Sequence, residues 1–206
     1  MTIMSEGSIT VGRYPQATVV SAPAHQISVC ICTFKRPALL NRLLMKLDEQ
    51  QTEGLFAFSI VVADNDSTGS AEPVVTAFRS TTELPVTYCI EQQQNIALTR
   101  NRALQQAEGD LVAFIDDDEF PADNWLCNLF KVYKSSGADG VLGPVKPYFE
   151  SEPMPWVKKG GFFERPTYPT GYRMSWGQSR TGNVLFRKDI LNGLEPPFRS
   201  TFGMAG

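Results

Sequence analysis

A run of consecutive acidic residues is the part of this sequence with the clearest chemical meaning. The acids occupy positions 116–119, directly after an apolar stretch of strand length at 111–115, and Pro121 prevents the strand from continuing. Carboxylates crowded at the mouth of a buried strand repel one another unless a cation or hydrogen-bond donors compensate. A hard divalent ion, held by one or two carboxylates and by phosphate oxygens, would do so. The alternative is a solvated acidic turn that caps a helix beginning near Ala122.

Two further polar clusters follow apolar strands. The strand predicted at 27–33 leads into a polar loop at 33–36, and the strand predicted at 58–63 leads into a polar turn at 64–67. Ligands of open α/β sheets bind at the carboxyl ends of the strands, where these clusters and the acidic run would meet. The convergence predicts a site for a ligand with a planar ring, a diphosphate and a metal. The sequence lacks the glycine-rich patterns of Rossmann dinucleotide sites and of P-loops.

The elements that position these clusters alternate along the chain. This alternation predicts an α/β sandwich with a mostly parallel central sheet. Residues 1–26 lack a sustained period and are expected to form a flexible leader, with 17–20 as a candidate edge strand. Strands are predicted at 27–33, 58–63, 86–90, 111–115, 139–145 and 182–188, and helices at 37–49, 72–78, 95–107, around 125–133 and, briefly, at 189–193.

Composition restricts the function classes. The net charge is −3 and no basic stripe is visible, which argues against nucleic acid as a partner. His25 is the only histidine, and it is expected to be exposed and unpartnered, so Ser-His and Cys-His catalysis are excluded. Cys30 and Cys32 alternate within a strand and are expected to be small core residues in a reducing compartment. No second Cys or His pair follows that would complete a metal site with them.

The chain carries no segment that predicts membrane insertion. No apolar run approaches the roughly 20 residues needed to span a bilayer, and the first residues do not resemble a signal peptide. A cytoplasmic location is therefore expected, and peripheral attachment at the inner face of the membrane is compatible with it. Residues 148–176 are rich in Pro, Gly and aromatic residues. They predict a lid or binding loop, or else a structural excursion over the sheet, and exposed Trp or Tyr there would suit stacking on a sugar ring.

Four blocks of the sequence resemble family 2 glycosyltransferases. They lie at 28–37, 60–67, 95–103 and 109–118, in the order and spacing of that family, and the match extends from residue 27 to about 206. The resemblance is nearest to bacterial exopolysaccharide glucosyltransferases. It implies the GT-A fold, a Rossmann-like sandwich with a nucleotide-binding half at 27–121 and an acceptor-side half at 122–206.

The resemblance also implies an activity. Such an enzyme transfers a sugar from a nucleotide-diphosphate donor, here expected to be a UDP-sugar, to a saccharide or lipid-linked acceptor in polysaccharide synthesis. Inversion of the anomeric centre and dependence on Mn²⁺ or Mg²⁺ are implied with it. The competing hypotheses are an inactive nucleotide-sugar-binding module, a sugar-phosphate nucleotidyltransferase and an aspartyl phosphatase. The nucleotidyltransferase requires a glycine-rich loop after the first strand, and the phosphatase requires its acids there; the sequence has neither.

Roles for individual residues follow from the same resemblance. Phe34 would stack on the base, and Asp64, with Asn65, would accept a hydrogen bond from a ring N–H; loop packing and helix capping are the alternatives for these side chains. Arg100 would bind the diphosphate, or else lie on a solvated helix face. The resemblance assigns nucleotide-sugar binding to Thr33, Phe34, Arg36, Asp64, Asn65, Asn95, Arg100, Asp116 and Asp117, and metal binding to Asp118 and Asp116.

The general base of inverting members has no assigned counterpart in this sequence. The family places that Asp or Glu shortly beyond a Phe-Gly-x-x-Gly stretch like residues 202–206, and the sequence stops at Gly206. The base is therefore expected beyond Gly206. A C-terminal truncation is the favoured explanation, and substitution by Glu195 or Glu164 is the alternative.

Overall fold

A six-stranded sheet forms the middle layer of the protein. The computed structural model describes residues 23–203, so the candidate edge strand at 17–20, most of the expected leader and Gly206 lie outside the described residues. The strands of the sheet are β1 (Gln26–Thr33), β2 (Ala57–Asp64), β3 (Val86–Ile90), β4 (Leu111–Asp116), β5 (Gly140–Leu142) and β6 (Val184–Arg187). Their order across the sheet is β3-β2-β1-β4-β6-β5.

The first four strands pair in parallel, which confirms the prediction of a mostly parallel α/β sheet. Strand β6 runs antiparallel to both β4 and β5, a direction that the alternating pattern does not predict. Strand β5 is shorter than the predicted 139–145. Pro144 closes it, since proline has no N–H to donate to a neighbouring strand.

Helices cover both faces of the sheet. The helices are α1 (Pro37–Asp48), α2 (Glu72–Arg79), α3 (Ile96–Gln106), α4 (Trp125–Ser136) and α5 (Pro155–Gly160). Helices α1, α2 and α4 pack against one face, and α3 packs against the other together with Leu191 and Phe198. Short 3₁₀ turns at Trp176–Gln178, Lys188–Leu191 and Ser200–Phe202 complete the secondary structure of the described residues.

Strand β1 pairs with β2 and β4 along its two edges, and helices cover both of its faces. Ile27, Val29 and Ile31 enter the core beneath α1, α2 and α4, whereas Cys30 enters the core beneath α3. Burying each large aliphatic side chain stabilises the fold by about 1.5–3 kcal/mol. The predicted role of the cysteines as small core residues is confirmed for Cys30, which is fully buried and free. This packing fixes where the carboxyl ends of β1 and β4 emerge.

His25 differs from its prediction. Its Nδ1 lies 2.8 Å from Oδ2 of Asp110, and its Nε2 lies 3.3 Å from Nζ of Lys134, so the side chain is partnered. Its ring also packs edge-on against Phe130. These contacts lie at the amino ends of β1 and β4, whereas the acidic run lies at the carboxyl end of β4. His25 therefore connects the amino ends of β1 and β4 to helix α4.

Residues 148–176 are irregular apart from α5 and the 3₁₀ turn that begins at residue 176. Many of their side chains are exposed, and none of α5 is buried. Among the described residues, no helix combines the length and the apolar composition needed to cross a membrane.

Candidate functional site

The parallel register brings the three polar clusters together. Thr33 pairs with Asp64 across β1 and β2, and Cys32 pairs with Asp116 across β1 and β4, so the three strand ends lie side by side. A cleft of about 400 Å³ opens at this edge. It is lined by all but one of the predicted site residues: Thr33, Phe34, Arg36, Asn65, Asn95, Arg100, Asp116, Asp117 and Asp118.

Asp117 is the buried centre of a network that joins two of the clusters. Its Oδ2 accepts a 2.8 Å hydrogen bond from the Thr33 hydroxyl, and its Oδ1 accepts one of 3.2 Å from Arg36. The same Arg36 nitrogen donates to Asp118 at 3.1 Å. Burial raises the pKa of Asp117, while Thr33 and Arg36 act in the opposite direction. The network holds Arg36 across the mouth of the cleft.

Asp116 and Asp118 present the carboxylates that remain accessible. The side chain of Asp118 is 53% exposed, and that of Asp116 is 49% exposed with its Oδ1 4.0 Å from Nη2 of Arg100. Burial raises the pKa of Asp116, and Arg100 opposes that shift.

The described residues include no group of three or more His, Cys, Asp or Glu arranged around a metal position. Two carboxylates at a cleft nevertheless fit Mg²⁺ or Mn²⁺, because such ions take one or two protein carboxylates and complete their shell with phosphate oxygens and water. The donor set at Asp116 and Asp118 is therefore compatible with a metal that arrives with a diphosphate.

The amino end of α3 forms another wall of the cleft. Asn95 caps this helix, its Oδ1 accepting hydrogen bonds from the N–H groups of Ala97 (2.9 Å) and Leu98 (3.2 Å). Arg100 lies one turn further on, with only 18% of its side chain exposed. It faces the cleft, so the alternative of a solvated helix face does not hold. The N–H groups of Ile96, Ala97 and Leu98 already have acceptors, so the helix dipole alone makes this end of α3 attractive to anions.

Asp64 does not occupy the predicted position. It is fully buried and is not part of the cleft wall. Its oxygens accept hydrogen bonds from the N–H groups of Asp66 (2.9 Å) and Ala71 (2.8 Å) and from the Tyr88 hydroxyl (2.9 Å). The expected direct contact with a base is thus replaced by a structural role, in which Asp64 shapes the turn after β2.

Asn65, next in the chain, does reach the cleft. Its Nδ2 donates to the carbonyls of Glu91 (3.2 Å) and Gln93 (2.7 Å), and its Oδ1 accepts from the N–H of Asn95 (2.8 Å). The loop after β3 and the start of α3 are therefore fixed relative to β2.

A second cavity of about 1290 Å³ lies on the other side of the acidic run. Residues 143–150 and 162–165 form its outer wall, and Asp116 and Asp118 line it as well as the cleft. The guanidinium of Arg42 lies 3.8 Å from the ring centroid of Phe120 and 4.8 Å from that of Tyr148. This stack connects α1 and the acidic loop to the outer wall.

Glu119 is a site residue that the sequence-based assignment missed. It lines the second cavity, and burial together with the charge of Asp116 raises its pKa to about 7. Its position directly after Asp118 in the acidic run is the sequence feature that could have identified it. The cleft wall also includes Cys32, Gln94, Ile96, Thr99 and Gly203, which no predicted site assignment singled out.

The stretch that precedes the expected general base reaches the cleft. Gly203 lines it, and the carbonyl of Gly203 accepts a hydrogen bond from the N–H of Ile96 at 3.3 Å. Gly206 lies outside the described residues, so the base expected beyond Gly206 has no position in the structure and stays a prediction. Of the two substitutes, Glu164 lines the second cavity, whereas Glu195 lines neither the cleft nor the cavity.

The alternative of an acidic helix cap also fails. Helix α4 begins at Trp125 rather than near Ala122, and its N-cap residue Asn124 makes no side-chain capping bond. The acids therefore belong to the cleft and cavity rather than to a helix end.

The sheet and its edge cleft define an α/β sandwich of the GT-A type. The family described as Glycosyl transferase family 2 matches residues 28–191, and the chain belongs to this family. The succinoglycan biosynthesis protein ExoM of Rhizobium meliloti (strain 1021) is 32% identical over 183 residues, which make up 87% of this chain and 57% of that protein.

Two solved structures share the fold. TarS 1-349 of S. aureus in complex with UDP superposes with a TM-score of 0.64 at 21% identity, over 87% of this chain and 52% of that one. Glucosyl-3-phosphoglycerate synthase from Mycobacterium tuberculosis, in complex with Mn²⁺, UDP and glucosyl-3-phosphoglycerate, gives a TM-score of 0.55 at 17% identity, over 88% of this chain and 64% of that one. The chain thus spans a little over half the length of ExoM and of the TarS chain.

Proposed function

We propose that this chain binds a UDP-sugar and transfers its sugar, with inversion, to a saccharide or lipid-linked acceptor during polysaccharide synthesis. One observation carries the proposal: two accessible carboxylates, two arginines and a helix amino end converge on one cleft. Membership of the family and the likeness to a succinoglycan biosynthesis protein support the reaction class. The UDP held by the TarS structure supports the choice of nucleotide.

The cleft offers different chemistry to the two ends of such a donor. Phe34 is half-buried and aromatic, suited to stacking on a base, and Asn65 and Asn95 line the same cleft. Arg36 and Arg100 supply the cationic donors that a diphosphate requires. The dipole of α3, whose amino end lines the cleft, also favours an anion there.

Asp118 and Asp116 would hold Mn²⁺ or Mg²⁺ together with the diphosphate. The bound ion would neutralise the charge that develops on the departing nucleoside diphosphate. The Mn²⁺ in the glucosyl-3-phosphoglycerate synthase complex supports this choice of ion. Asp117 does not need the metal for its role, because it is already bonded to Thr33 and Arg36 and keeps the loop in place.

The second cavity is the proposed acceptor site. It adjoins the cleft at Asp116 and Asp118, so an acceptor hydroxyl placed there would lie beside the donor sugar. Part of its outer wall belongs to an aromatic segment, residues 148–172, whose exposed rings can stack on sugars. The same segment exposes Trp156 and Phe162 next to Lys158 and Lys159, a combination suited to an anionic membrane surface that carries a lipid-linked acceptor.

Calorimetric titration of UDP with and without Mn²⁺ tests the donor and metal proposals. Wild-type protein should bind UDP at least about tenfold more tightly with Mn²⁺, equivalent to about 1.4 kcal/mol. Asp118→Ala should lose that gain. Asp123→Ala, which removes an exposed carboxylate outside both the cleft and the cavity, should behave as wild type.

The proposal and two of its alternatives have distinct outcomes in this titration and in activity assays. Absence of UDP binding under both conditions would overturn the proposal, and release of phosphate from p-nitrophenyl phosphate would favour the phosphatase. Metal-dependent UDP binding without sugar transfer to any saccharide would favour the inactive binding module. Inversion is read from the anomeric configuration of the product by NMR.

A further inference from the structure

Three basic side chains line the second cavity, namely Arg42, Lys146 and Arg165. None of them forms an ion pair or a hydrogen bond with another residue of the 23–203 stretch, although the acidic run and Glu164 line the same cavity. Lys146 and Arg165 are exposed, so water can serve as their partner. Arg42 is only partly exposed, and its guanidinium lacks an acidic partner at a position that its neighbours fix.

Two aromatic rings hold the guanidinium of Arg42. Its central carbon lies 3.8 Å from the ring centroid of Phe120 and 4.8 Å from that of Tyr148. The two rings meet edge to face, with their centroids 6.4 Å apart. A guanidinium that stacks on a ring uses its face, whereas its N–H donors lie in its plane and stay available. The stack therefore fixes the charge without consuming the hydrogen-bond donors.

The donors of Arg42 are open to a ligand. Nε of Arg102 and Nε of Arg180 are buried without a partner, whereas no nitrogen of Arg42 is buried in this way within the described part of the chain. Arg42 lines the second cavity but not the donor cleft, where Arg36 and Arg100 are the cationic residues. Its charge is therefore available to an acceptor rather than to the nucleotide.

We propose that Arg42 binds an oxyanion of the acceptor, a carboxylate or a phosphate group, in the second cavity. Arginine presents paired N–H donors that match both groups, and such charge-assisted bonds are among the stronger hydrogen bonds. Because the stack has already ordered the side chain, little rotamer freedom is lost on binding. The inference rests on the proposed function, and it narrows the acceptor to a saccharide that carries an acidic group.

The acidic run gives this contact a direction. Asp116, Asp118 and Glu119 line the same cavity, and the diphosphate of a donor would add negative charge beside them. These charges repel an anion, so the charged group of the acceptor is favoured at Arg42 and a neutral hydroxyl is favoured next to the donor sugar. Arg42 thus selects both the acceptor and the end of the acceptor that reacts.

Ligand-observed NMR titrations test the contact, with the donor cleft filled by UDP and Mg²⁺. The probes are methyl β-D-glucuronide, glucose 6-phosphate and the neutral methyl β-D-glucoside. Wild-type protein should bind at least one acidic probe about tenfold more tightly than the neutral one, because only the acidic probe forms a charge-assisted bond. Preference for the glucuronide assigns the site to a carboxylate, and preference for the sugar phosphate assigns it to a phosphate.

Two variants locate the preference. Arg42→Met removes the charge but keeps an unbranched apolar stem against the rings, so it should bind the three probes within about twofold of one another. Its affinities for UDP and for methyl β-D-glucoside should stay within about twofold of wild type. Arg79→Met, the matched control, removes a guanidinium from α2, outside the cleft and the cavity, and should keep the wild-type preference.

The outcomes separate this inference from the proposed function. If UDP does not bind, the proposed function fails, and the comparison of wild type with Arg42→Met still decides the role of Arg42. If UDP binds but neither acidic probe is preferred, or Arg42→Met keeps the preference, the oxyanion assignment is wrong and the donor cleft stands. Loss of UDP or methyl β-D-glucoside binding in Arg42→Met would also overturn the assignment, because it would show that Arg42 shapes the cavity wall.

Discussion

At the scale of single residues, acidic side chains next to each other in sequence differ in burial and in hydrogen bonding. Asp116 and Asp118 remain open to a ligand, whereas Asp117 between them is buried and bonded to Thr33 and Arg36. The division follows from the turn after β4, which directs successive side chains to different sides. A ligand-binding carboxylate and a structural one therefore cannot be distinguished by residue type alone.

Asp64 allows a direct test of a purely structural carboxylate. Asp64→Ala should lower the free energy of unfolding in urea by at least about 3 kcal/mol, because several buried donors lose their acceptor and each is worth about 1–3 kcal/mol. Tyr88→Phe removes only one of those donors and should cost about 1 kcal/mol. A loss below about 1 kcal/mol for Asp64→Ala would contradict the structural assignment.

Most residues that line the cleft could be predicted from the sequence, but the positions of Asp64 and Glu119 could not. The polar clusters at three strand ends were visible in the sequence, and they do meet at one cleft. The role of Asp64 depends on N–H groups up to seven residues away, and their direction is set only when the turn folds. The backbone at Gly182, about 60 residues further along the chain, lies close to the carboxylate of Glu119. No local pattern connects residues at that separation.

At the scale of elements, the amino end of α3 joins the helix to the last described turn of the chain. Asn95 caps the helix through Oδ1 and donates from Nδ2 to the carbonyl of Ser200 at 2.9 Å. The N–H of Ile96 donates to Gly203 in the same turn. The position of this turn at the cleft therefore depends on the same residue that caps α3.

Substitution of Asn95 separates the two roles. Asn95→Ala should destabilise the protein by about 0.5–2 kcal/mol, the usual range for loss of an N-cap. Asn95→Ser keeps a capping oxygen but lacks the amide donor, so it should retain most of the stability and lose only the bond to Ser200. Urea unfolding measures both variants, and equal losses would show that the cap itself contributes little.

Element types followed from periodicity, whereas their directions and some of their lengths did not. The leucines of α1 repeat at helical spacing, and Leu40, Leu43 and Leu47 are fully buried. The antiparallel direction of β6 results from the long excursion that precedes it. Parallel neighbouring strands are usually joined by a crossover helix, and residues 143–183 contain no helix of that kind, so a parallel β6 is not required.

At the scale of the whole molecule, apolar side chains are distributed unevenly over the surface. The aromatic segment exposes Tyr148, Trp156, Phe162 and Phe163. A concentration of exposed aromatic residues usually marks a surface that binds something. Lysines at positions 158 and 159 add positive charge to a chain that is negative overall.

Vesicle sedimentation tests this surface. Wild-type protein should sediment with vesicles containing phosphatidylglycerol more than with phosphatidylcholine vesicles, and added salt should weaken the binding. The double variant Trp156→Ala/Phe162→Ala should bind several-fold less. Phe202→Ala, which removes an exposed ring from a different part of the surface, should bind as wild type. Equal sedimentation of all three proteins would refute the membrane contact.

The borders of the sheet have a further consequence for how the protein behaves at high concentration. Within the described residues, the outer strand on one side is the three-residue β5, and on the other it is β3, where Nε of Arg79 donates to the carbonyl of Val86 at 3.0 Å. An edge strand that is very short, or in which a backbone carbonyl already accepts a side-chain hydrogen bond, pairs poorly with a strand of a second molecule. The fold thus disfavours edge-to-edge aggregation, and the cleft at the carboxyl ends of the strands can stay open without that hazard.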